Sequence, residues 1–255
     1  MTDDNRLPWQ RCCGSLLYYL GDGRDMNCKA VVFDMDGVIL DSEQLVVKSW
    51  QKTADKYGIE DIESFCMAAL GLNREAAKKL FVQMYKGRCG EGQDTLDEER
   101  YESLKGEMAA EFHRAAAEGE LVLKPGVTDM LKMLRDNCIP CALATSTRKE
   151  VVTMELINLG VIDYFDKLVC GDMVDRSKPA PDIFLKACEE LGVESESAWA
   201  VEDSYNGVRA AYAAGMKIAM IPDLVQPDDE MRDKADFIFK NMNEFQEYIL
   251  ESIRA

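Results

Sequence analysis

The sequence lacks several features, and each absence narrows its class. No apolar run approaches the roughly 20 residues of a membrane-spanning helix. The stretch Leu16-Leu17-Tyr18-Tyr19-Leu20 is too short, and no small-residue cleavage site follows it as in a secretory signal. A cytoplasmic protein without a membrane partner is expected. Positive charge is scarce: 30 Lys and Arg face 47 Asp and Glu, a formal net charge of −17. Such a field repels DNA, RNA and anionic lipid, so nucleic acid is excluded as a main partner. A small anion can still bind where local cations and amide dipoles reverse the field. The single histidine, His113, sits in a long predicted helix and reads as structural. There is no internal repeat. A disulfide framework is also missing, because the nine cysteines are odd in number and scattered. Cys138 and Cys141 form a C-x-x-C, but Cys141 falls inside an apolar predicted strand rather than at a helix N-terminus. Buried thiols are expected there.

What is present is enough for a sizeable core: 255 residues, 47 % apolar. Residues 1–26 show no clear periodicity and precede a strong strand, so they are expected to be a poorly ordered extension. From Ala30, short apolar runs alternate with amphipathic helices. Strands are predicted at about 30–34, 139–144, 167–170, 198–202, 217–221 and 236–239. Helices fit about 127–137, 148–159, 182–191, 204–214 and 243–253. This alternation predicts an α/β fold, a doubly wound parallel sheet with helices on both faces. Between 43 and 121 the pattern is helical throughout. Asn73 is placed to cap one of these helices, and Thr95 with Glu98 to open another. The insert leaves after the first strand and returns near Lys124-Pro125-Gly126, with the size and position of a cap. The expected organisation is therefore a core domain from 27–42 and 122–255 and a helical cap domain from 43–121.

Four motifs carry chemistry. Phe33-Asp34-Met35-Asp36-Gly37 follows the first strand, where ligands bind in open α/β sheets. A carboxylate held against Mg²⁺ can attack phosphorus, and a second acid two residues on can serve the leaving oxygen. Leu143-Ala144-Thr145-Ser146-Thr147 ends another strand before a helix, where a hydroxyl and free amides make an anion cradle. In Ser177-Lys178-Pro179-Ala180-Pro181, two prolines pin the backbone beneath an ammonium. Val201-Glu202-Asp203-Ser204 offers hard oxygens suited to Mg²⁺ at a further strand end. Singly, each has an ordinary alternative: a strand-end turn, an N-cap, a surface lysine, an acidic cap. All four in this order at strand ends are hard to explain as turns.

Together these stretches resemble the haloacid dehalogenase-like superfamily, in its phosphatase and β-phosphoglucomutase branch. The matching segments are KAVVFDMDGVILDSE, LATSTRKE, SKPAPDIFLKA and VEDSYNGVRAAYAAGM, from residue 29 to about 220. The resemblance implies a Rossmann-like core and a reaction through an aspartyl-phosphate. It implies Asp34 as nucleophile and Asp36 as general acid/base. Asp34, the Asp36 carbonyl and Asp203 would hold Mg²⁺, with Glu202 as a further acid. Thr145, Ser146 and Lys178 would bind the transferring phosphoryl group. Gly71-Leu72-Asn73-Arg74-Glu75 resembles the substrate-specificity loop of this branch and makes Arg74 the candidate cap contact; Arg148 is a weaker one. β-Phosphoglucomutases carry a histidine where this chain has Val46, which favours hydrolysis over isomerisation. The expected enzyme is thus a phosphatase acting on a small phosphorylated metabolite, a sugar phosphate or similar phosphomonoester, and is a monomer or weak homodimer. The alternatives are a sugar-phosphate mutase and, more remotely, a phospho-receiver or binding protein.

Overall fold

The computed structural model describes residues 28–69, 74–85 and 96–254. The expected N-terminal extension, Asn73 and Thr95 lie outside the described residues. The chain divides into two compact units: one takes the chain up to Leu40 together with Leu123–Ala255, the other is Asp41–Val122.

In chain order, β1 (Ala30–Phe33) is followed by four helices, α1 (Ser42–Lys56), α2 (Ile62–Ala69), α3 (Arg74–Tyr85) and α4 (Glu98–Ala117). Then come α5 (Val127–Asp136), β2 (Cys141–Ala144), α6 (Lys149–Asn158), β3 (Lys167–Val169), α7 (Asp182–Leu191) and β4 (Ala198–Glu202). The chain continues with α8 (Tyr205–Ala213), β5 (Lys217–Met220), α9 (Asp229–Lys234), β6 (Phe237–Ile238) and α10 (Met242–Arg254). The sheet is wholly parallel, in the order β3-β2-β1-β4-β5-β6. The doubly wound α/β fold with a helical insertion after the first strand is thereby established.

β1, β2 and β4 are buried at every residue, which is why AVVF, CALA and AWAVE are continuous apolar runs ending in an acid only at Glu202. β1 pairs with β2 on one side and β4 on the other, Val32 lying opposite Ala142 and Ala200. The connections reverse direction at β1, so the crevice outside its carboxyl end is the topological ligand position. The core around the sheet uses small residues, among them Ala30, Ala142, Ala144, Ala198, Ala200, Ala210 and Ala211.

The helical unit packs around rings. Trp50, Phe65, Phe81 and Tyr101 form a mutual cluster, with Phe81 and Tyr101 centroids 5.2 Å apart and Phe65 edge-on to Phe81 at 5.2 Å. α4 is capped by Asp97, whose side chain accepts from the Arg100 amide at 2.9 Å.

Two details depart from expectation. The short helix α9 has no long periodic pattern to betray it; Asp228 starts it by accepting from the Met231 amide. In the C-x-x-C, Cys141 is a buried free thiol, pushed upward in pKa by burial. Cys138 instead takes part in a disulfide, with Cys141 not its partner. Among the described residues, no helix is long and apolar enough to cross a membrane.

Candidate active site

The site is assembled at the carboxyl ends of β1, β2 and β4. The Asp34 amide donates to Val201 O at 2.9 Å, which continues the β1–β4 ladder and fixes the acid beside β4. A tight turn then bends the chain away: the Ile39 and Leu40 amides donate to Met35 O and the Gly37 amide to Leu40 O. Gly37 has φ of 80°, and a Cβ there would meet Asp203 Oδ2 at 2.2 Å. The glycine therefore allows both the turn and the close approach of the Asp203 carboxylate.

Lys178 ties the strands together. Its ammonium donates to Asp34 Oδ1 at 2.5 Å, Glu202 Oε1 at 2.6 Å and Ala144 O at 3.1 Å. All three of its hydrogens thus have acceptors, one from each of β2, β4 and the end of β1. Burial alone would lower its pKa, but Asp34 and Glu202 outweigh that and hold it above the ordinary lysine range. Burial pushes the Asp34 carboxyl up; Lys178 opposes this, and Glu202 and Asp36 reinforce it.

Glu202 is fully buried. Its Oε2 accepts from the Asp203 amide, the Ser204 amide and the Ser204 hydroxyl at 3.0–3.2 Å, so the carboxylate sits against the N-terminus of α8. A Cβ on Gly207 would lie 1.8 Å from this carboxyl group. Only a glycine in the first turn of α8 leaves it room.

On the β2 side, Thr145 is buried and its Oγ1 accepts from the Thr147 amide at 3.1 Å. This is a local turn rather than a helix cap. The Ser146 side chain is exposed. The Thr147 hydroxyl donates to Asp36 Oδ2 at 3.3 Å, linking the two loops.

Asp34, Glu202 and Asp203 each offer an oxygen within 4.8 Å of the others. The Lys178 ammonium pairs with two of these groups, Asp34 and Glu202, and the Asp36 charge acts on Asp34 as well. Buried carboxylates set this close repel one another, and a cation between them offsets that cost. Closely set hard oxygens are the donors Mg²⁺ takes, usually one or two carboxylates with several waters. The residues therefore fit a divalent ion. Asp34 and Asp203 fit it best, because Glu202 is spent on Lys178 and on α8.

The structure brings together Asp34, Asp36, Thr145, Lys178, Glu202 and Asp203, with Ser146 in the same loop. Arg74 opens α3, and its side chain lies outside the described residues. Two residues escaped the sequence reading. Thr147 was within a motif but had no assigned part. Glu155, on α6, is buried, and its carboxyl is pushed up to about 7, first by burial and then by the Asp36 charge. The available signal was an acid on the apolar side of a helix: Val152 and Leu156 flank it and are also buried.

Comparison with known proteins gives the family. Residues 31–221 match the family of haloacid dehalogenase-like hydrolases. The phosphorylated carbohydrates phosphatase of Thermotoga maritima is 33 % identical over 189 residues, covering 74 % of this chain and 82 % of the relative. The fructose-1-phosphate phosphatase of Escherichia coli is 29 % identical over 188 residues, covering 73 % and 92 %. A solved structure from Thermotoga maritima, provisionally named a β-phosphoglucomutase, superposes with a TM-score of 0.68 at 30 % identity over 89 % of this chain and 98 % of its own. The chain belongs to the haloacid dehalogenase-like hydrolases, in the branch that holds these phosphatases and the β-phosphoglucomutase-like proteins.

Proposed function

We propose that this enzyme is a magnesium-dependent phosphatase that releases phosphate from a small phosphorylated metabolite, a sugar phosphate or similar monoester, through an aspartyl-phosphate on Asp34. The enzyme class, a phosphoric monoester hydrolase, follows from the family. The observation that carries the mechanism is the Asp34 carboxylate, pinned at a strand end by Lys178 within a cluster of carboxylates. The relatives' named substrates, phosphorylated carbohydrates and fructose 1-phosphate, support the substrate class.

In this reading an Asp34 oxygen attacks phosphorus and the bond to the leaving oxygen breaks. Asp36 gives that oxygen its proton. Asp36 then takes a proton from water as the water attacks the acyl phosphate; the bond to Asp34 breaks, and inorganic phosphate leaves. Thr145 and the Ser146 amide receive the phosphoryl oxygens. Lys178 aligns Asp34 and offsets negative charge, and Glu202 holds Lys178 in place. Mg²⁺ on Asp34, the Asp36 carbonyl and Asp203 would neutralise the transferring group's charge. Arg74 is the proposed contact to the remainder of the substrate, and residues 43–121 the proposed cap that shields the reaction from bulk water.

The test is a panel of phosphorylated sugars, nucleotides and glycolates assayed for phosphate release with Mg²⁺ and with chelator. Release from a subset, lost in chelator and restored by Mg²⁺, is expected. Full activity in chelator would refute the metal requirement. Isomerisation that needs a bisphosphate and frees little phosphate would replace the phosphatase reading by the mutase one.

A further inference from the structure

The loop after β2 holds a side chain that this reaction has not used. Thr147 precedes α6, a place where a threonine usually caps the helix. Here it does not. The N-cap position is Arg148, without a side-chain cap bond, and the first helical amide, that of Lys149, donates to Asp172 Oδ1 at 3.0 Å. The Thr147 hydroxyl is directed to Asp36 Oδ2, 3.3 Å away and 111 residues distant in sequence. Its main chain is held on both sides. The amide donates to Thr145 Oγ1 at 3.1 Å, and the carbonyl accepts from the Gly171 amide at 2.9 Å. A half-buried hydroxyl on a fixed backbone is thus aimed at one oxygen of the second motif acid.

We propose that Thr147 is a positioning residue for proton transfer: its hydroxyl holds the Asp36 carboxyl so that the proton it carries faces the leaving oxygen. The inference rests on Asp36 being the acid of the hydrolysis. The terminal torsion of an aspartate is broad, so an unheld carboxyl spends time in orientations that deliver no proton. A hydroxyl can donate to a carboxylate and accept from a carboxylic acid. The same contact therefore serves both halves of the reaction. In the first, the Asp36 O–H bond breaks as the leaving oxygen gains its proton. In the second, a water O–H bond breaks and the Asp36 O–H bond re-forms, so the acid is regenerated. The 3.3 Å separation is long for such a bond, as hydrogen bonds of resting catalytic groups often are before substrate arrives.

The test is a leaving-group series of aryl phosphates of matched shape, assayed with Mg²⁺. The constant kcat/KM reports the steps up to departure of the phenol. Phenyl phosphate expels a group about as basic as the tyrosine side chain, with a pKa of about 10, and needs the proton. p-Nitrophenyl phosphate expels a much weaker base and needs it little. Thr147→Val keeps the shape and removes the hydroxyl. It is expected to lower kcat/KM by about 10–100-fold for phenyl phosphate and by about threefold or less for p-nitrophenyl phosphate. Thr147→Ser restores the hydroxyl and should return phenyl phosphate to within about threefold of wild type. Should the valine variant not fold, Thr147→Ala is read in the same way. Asp36→Asn, run beside them, should show the same selective loss, larger. Equal losses on both substrates for Thr147→Val, or a serine variant as impaired as valine, would overturn the role of Thr147 even where Asp36→Asn stays selective. If Asp36→Asn is itself unselective, the assignment of the acid falls and the inference falls with it.

Discussion

The two units are built from different materials. The α/β unit packs small side chains against paired strands, with alanines at Ala30, Ala142, Ala144, Ala198 and Ala200 along the sheet. The helical unit packs rings: Trp50, Phe65, Phe81, Tyr85 and Tyr101. Their buried polar groups differ as well. In the helical unit Ser49 and Thr53 donate back to their own helix, at Leu45 O and Ser49 O. Among the described residues, the buried charged groups Asp34, Glu155, Glu202 and Asp203 all lie in the α/β unit. Backbone pairing places strand ends with little freedom, and small residues let helices approach the sheet closely. That rigidity can hold carboxylates together against their repulsion. A ring cluster gains area and stacking, with no comparable demand on polar placement. The α/β unit therefore carries the buried charges, and the helical unit's core serves stability.

The largest expected effect is on catalysis alone. Asp34→Asn should lower kcat by about 10⁴-fold, since an amide does not attack phosphorus. Its melting temperature should stay level or rise, because one of three close-set carboxylates is neutralised while Lys178 keeps Glu202. Near-normal turnover, measured as phosphate release, would break the comparison at its strongest point.

Phe81→Ala should show the opposite pattern. Phe81 is fully buried against the rings of Trp50, Phe65, Tyr85 and Tyr101, and its removal should cost about 3–5 kcal/mol by loss of packing and creation of a cavity. Calorimetry of the full chain reads this directly. A loss below about 1 kcal/mol would show that the rings are not the core of their unit.

The smallest effect sharpens the contrast within the α/β unit. The Glu155 carboxyl is raised from 4.5 to about 7 by burial and by Asp36. A raised acid pKa means that folding favours the protonated form. The penalty is absent below the unfolded value, grows through the interval between 4.5 and about 7, and is complete above it. Glu155→Gln should therefore stabilise the protein at pH 8, on the order of 1–3 kcal/mol, and change little at pH 5. Thermal melts at the two pH values test this; an equal shift at both would mean that charge at Glu155 is not the cause.

Much of this was legible before the fold was known, for reasons particular residues make clear. β1 and β4 read correctly because a strand buried on both faces must be apolar at successive positions, as Ala30–Phe33 and Ala198–Val201 are. The insert read as helical because Leu45, Trp50 and Ala54 fall on one helical stripe, and each proves to be buried. The six-residue α9 was too short to show a period. Thr147 had no assigned part because local sequence cannot report an acceptor 111 residues away. Glu155 was hidden for a similar reason: a single acid in a helix reads as solvated until the sheet beside it is known.

The sequence by itself determined the α/β class, the helical insertion and the acids, hydroxyl and lysine of the four motifs, because periodicity and strand-end position are local properties of the chain. Only the tertiary structure decided how those groups divide the work. It joined Lys178 to Asp34, Glu202 and Ala144 at once, spent Glu202 on the lysine and the start of α8, and turned Thr147 from the helix towards Asp36. Those partnerships depend on which strands lie side by side, and the order β2-β1-β4 is set by packing of the whole sheet rather than by any one segment.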